Sequence, residues 1–175
     1  MQSITNQKVL FAQSQLDSFV DALANIQNPR DQLLARGFAD ACVYHLMGVW
    51  HALLQEIISN YKVQGFSPSY CLGAGMLVEC MDGCEREDTV SPELSYIFEL
   101  SKKPQSCIAR LQVLFERTLS GSLVSEPDQK DAENLIVVQQ LDSPDPLTLQ
   151  RKQLEGILVE LKELVQHCRQ TMQEY

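Results

Sequence analysis

Apolar residues recur along this chain at helical, not alternating, spacing. Val9, Leu16 and Leu23 fall seven apart, and Ala12, Phe19 and Ile26 form a parallel row, which together predict one amphipathic helix over residues 4–27. Asn28-Pro29 then reads as a cap followed by a first-turn proline, opening a second helix that should reach Tyr61. On that helix Leu34, Phe38, Cys42, Leu46, Val49, Leu53 and Ile57 share one face, widened by Trp50, Leu54, Ile58 and Tyr61. So broad an apolar arc implies several neighbours and makes this the expected central helix.

Ser67-Pro68 predicts a shorter helix to about Met81, stopped at Gly83, and Ser91-Pro92-Glu93 predicts another ending near Lys102-Lys103. Pro104 is expected to open a further helix with Ile108, Leu111, Leu114, Phe115 and Leu119 inward. Asp145-Pro146 should cap a last helix to about Glu174, roughly 43 Å long, with a seven-residue row of Leu147, Leu154, Leu161 and Cys168. Arg151 with Glu155 and Glu163 with His167 are expected as solvated pairs on its polar side.

Between these elements lie two acidic loops, about 82–90 and 122–145. The second carries the apolar run Leu135–Val138, β-branched from Ile136 on, which leaves room for one small strand or hairpin around 122–141. The expected fold is therefore all-α, a helical bundle of three long and about three shorter helices in a single domain spanning 1–175.

Charge narrows the function classes. Acids outnumber bases by 23 to 14 over 175 residues, for a net charge of -9, and no cluster of Lys and Arg offers the counterion release that nucleic-acid binding needs. Anionic membranes are disfavoured for the same reason, and no apolar run is long enough to span a bilayer. The amino-terminal stretch MQSITNQKVLFAQSQLD lacks an uninterrupted apolar core, so a cytoplasmic location with reduced thiols is the expectation.

Candidate chemistry is sparse. The stretch DACVYHLMGVWH, residues 40–51, holds Cys42, His45 and His51. Helical geometry sets His51 about 120° round from His45, so the two histidines cannot converge on one ligand. Cys80 and Cys84 form a C-x3-C pair, and Cys42 with His45 could complete a four-ligand zinc or thiol-redox site if the segments pack together. Against this stands the simpler expectation of buried thiols and a histidine hydrogen-bonded at the edge of the core, with no catalytic, cofactor or metal site. Nucleophilic catalysis has no footing: Cys168 follows His167, but adjacent helical residues diverge by about 100°.

The segments RGFADACVYHLMGVWHALLQEI (36–57) and SPELSYIFELSKKPQSCIARLQVL (91–114) resemble a family of short, uncharacterised, all-helical bacterial proteins. The resemblance implies a helical fold in a bacterial cytosol and carries over no site residues. The leading functional expectation is a non-catalytic protein–protein interaction or adaptor module. Its partner would be another protein, met by an acidic loop, or a second copy through the last helix around Leu161 and Leu164. The alternatives are the zinc or thiol-redox protein on Cys42, His45, Cys80 and Cys84, and a small-ligand pocket between helices lined by Trp50.

Overall fold

A computed structural model describes residues 3–61, 91–120 and 145–174. Those residues form helices: α1 (Ile4–Ala24), α2 (Pro29–Tyr61), α3 (Pro92–Ser101), α4 (Cys107–Ser120) and α5 (Pro146–Glu174). Among the described residues there is no strand. The short helix expected over 68–81, both acidic loops and the strand or hairpin around 122–141 lie outside them.

The helix starts follow the caps in the sequence. The Asn28 side-chain oxygen accepts the backbone N–H groups of Arg30 (2.9 Å) and Asp31 (3.1 Å), while Asp31 reaches back to the N–H groups of Gln27 (3.0 Å) and Asn28 (3.2 Å). This reciprocal arrangement satisfies donors that the first turn leaves orphaned. Ser91 accepts from the Leu94 N–H at 3.1 Å to start α3, and Asp145 accepts from the Thr148 N–H at 3.2 Å to start α5. Two boundaries differ from expectation. α1 ends at Ala24, where the Asn25 side chain donates to the Asp21 carbonyl at 2.7 Å and its backbone N–H bonds Ala22 at 3.2 Å. Pro104 opens no helix; Ser106 caps α4 instead, accepting the Ala109 N–H at 3.2 Å.

Packing runs through α2. Its antiparallel pairing with α1 is registered by Lys8 against Gly48, Phe11 against His45 and Ala12 against Cys42. α5 crosses back antiparallel to α1, with Asn6 near Arg169 and Gln13 near Lys162. α4 runs antiparallel to α2, joined by the Thr118 hydroxyl donating to Asp40 at 3.3 Å and by an edge-to-face contact of Tyr44 with Phe115 at 5.5 Å. One contiguous apolar cluster links all five helices, with Phe19, Leu46, Leu53, Ile57, Ile97, Leu111 and Leu161 fully enclosed.

Three apolar residues expected inward are not core. Leu34 and Leu119 are 57% and 58% exposed, and Phe38 is half-buried. Within the same turns of α2 Ala35 and Ala39 are fully buried, so Leu34 lies on the side of the helix turned away from the core. The Leu161 and Leu164 positions are the converse case. Both are buried within the bundle, because α5 uses that stripe to pack on its own chain.

Candidate functional site

At the other end of the bundle from the α1–α2 turn, α1, α2 and α5 meet around a polar cluster. Arg169 donates to both carboxylate oxygens of Glu56, Nε to Oε1 at 2.7 Å and Nη2 to Oε2 at 2.9 Å. Its Nη1 donates to Asn6 Oδ1 at 2.6 Å, and its Nη2 also reaches the Ser3 hydroxyl. The enclosed Thr5 hydroxyl donates to Glu56 Oε2 at 2.7 Å. A bidentate guanidinium–carboxylate pair of this kind is strong because its two charge-assisted bonds are parallel. The Arg169 hydrogen bonds hold the Glu56 carboxyl below its usual pKa, against the opposing effect of burial, with Thr5 adding to the lowering.

Beside the cluster a groove of about 260 Å³ runs between α1 and α5, floored by Val9 and Val165 and walled by Lys162, Gln166, Arg169 and Gln170. Its two cations are engaged within the chain, Arg169 as above and Lys162 with Gln13 Oε1 at 2.8 Å. Trp50 is buried in the core and does not line this groove.

The residues singled out from the sequence are placed as follows. Cys42 is fully buried, and its thiol donates to the Ala12 carbonyl at 3.5 Å. Burial pushes its pKa up to about 12, the opposite of what a thiolate ligand or nucleophile requires. His45 sits one turn on, half-buried, with its ring 5.4 Å from that of Phe11. Burial lowers its pKa, helped by the Lys8 charge. Both residues therefore face α1. Cys80 and Cys84 lie outside the described residues, within which no three His, Cys, Asp or Glu side chains gather as a metal site.

The expected Arg151–Glu155 pair forms at 3.0 Å. His167 packs against Tyr96 instead, with ring centroids 4.7 Å apart and the planes tilted by 57°, and so ties α5 to α3. Cys168 is buried, and burial together with the Glu93 charge raises its thiol to about 12. Glu93 itself is enclosed in the first turn of α3, where its Oε2 accepts from the Ser91 hydroxyl at 3.1 Å.

Several interactions were not visible in the sequence: Glu56–Arg169, the Arg110–Glu160 ion pair between α4 and α5, and Asp40–Thr118. Their partners lie 113, 50 and 78 residues apart, so no local spacing signals them. What these groups do is join helices. No protein-family model, curated protein or solved structure matches the chain. Among the described residues no helix is long and apolar enough to cross a membrane.

Proposed function

We propose that this chain is a non-catalytic helical module that works by binding another protein. The observation carrying that reading is the amino-terminal face of α2, where Leu33 and Leu34 stand 70% and 57% exposed on a regular helix. The backbone beneath them is already ordered in a helix, so covering these leucines costs their side-chain freedom but no folding of the main chain. The polar clusters support the same reading, since their charged groups hold the helices in register. The three described thiols are free and buried, which suits a reducing, cytoplasmic setting.

The test is a pull-down of the tagged full chain from a lysate of its source organism, at low and moderate salt, read by mass spectrometry. One partner recovered in near-stoichiometric amount is the expected result. Recovery of the chain alone would sink the interaction reading. The zinc or thiol-redox alternative rests on Cys80 and Cys84 joining Cys42 and His45. Near-stoichiometric zinc in protein purified under reducing conditions would put it first.

A further inference from the structure

We draw no further inference here: the strongest candidate, the exposed face of Leu33 and Leu34 at the amino-terminal end of α2, is an unpartnered apolar face, and nothing in the structure shows what covers it.

Discussion

Arg169 of α5 closes a two-point ion pair on Glu56 of α2, and the same guanidinium holds Asn6 and Ser3 at the start of α1. Residues far apart in sequence, on or at the start of three helices, are thus registered by one side chain. Both partners are three-quarters or so buried, at 25% and 29% side-chain exposure, so solvent screens them only in part. E56Q should cost about 1–3 kcal/mol in urea unfolding at pH 7, since it leaves a guanidinium that is mostly buried without its charge partner. An E56Q chain as stable as wild type would show the cluster to be incidental.

The same pair sets an acid dependence. Glu56 is held below the ordinary glutamate pKa in the folded chain, by Arg169 first and Thr5 second, with burial opposing. A depressed folded pKa contributes stability that is fully present above the unfolded value of about 4.3 and lost as pH falls through the folded one. Melting temperature should therefore drop more steeply below about pH 4.5 in wild type than in E56Q. Superimposable acid limbs would count against the assignment.

Thiol chemistry gives an independent check on burial. Cys42, Cys107 and Cys168 are enclosed, and burial raises their pKa values to about 12, 11 and 12. Native protein treated with iodoacetamide at pH 8 should leave all three unmodified by peptide mass spectrometry, and about 6 M guanidinium should expose them together. Labelling of Cys42 under native conditions would mean that the α1–α2 contact opens readily.

Leucines at two kinds of position should behave in opposite ways. Leu161 is fully enclosed, so L161A should cost about 2–5 kcal/mol and L161E should prevent folding. Leu33 is 70% exposed, so L33E should change stability by no more than about 0.5 kcal/mol. A charged residue tolerated at 161 would contradict the packing of α5 against its own chain.

Glycine replacements probe the two faces of α2 in the same manner. G37A places its methyl in open space on an exposed helix and should stabilise by about 0.5–1 kcal/mol. G48A puts the new methyl 3.2 Å from the Lys8 Cδ, so Lys8 must shift and the gain should be smaller. Thermal melts of the two variants rank them, and a destabilised G37A would mean that something covers that face.

Periodicity and caps placed the described helices to within a few residues. The 3.6-residue repeat marks which residues can share a face, and Asn28-Pro29, Ser91-Pro92 and Asp145-Pro146 satisfy backbone donors through side chains only a few residues away. Those are local matters, decided within a turn or two. Pro104 misled because a first-turn proline permits a helix start without compelling one, and the Ser106 hydroxyl offers the better cap two residues later.

Which apolar positions would be covered was not local. Leu34 and Leu161 are equivalent in a pattern of hydrophobic residues, yet one is open and the other enclosed, because burial depends on whether a second helix lies opposite. The same holds for charge: Glu56 and Arg169 read as ordinary surface residues until α2 and α5 are laid parallel and their side chains meet. A chain pattern specifies faces through bonds between near neighbours. Only the packed helices decide which face finds a partner inside the molecule, and which, like that of Leu33 and Leu34, stays open to solvent.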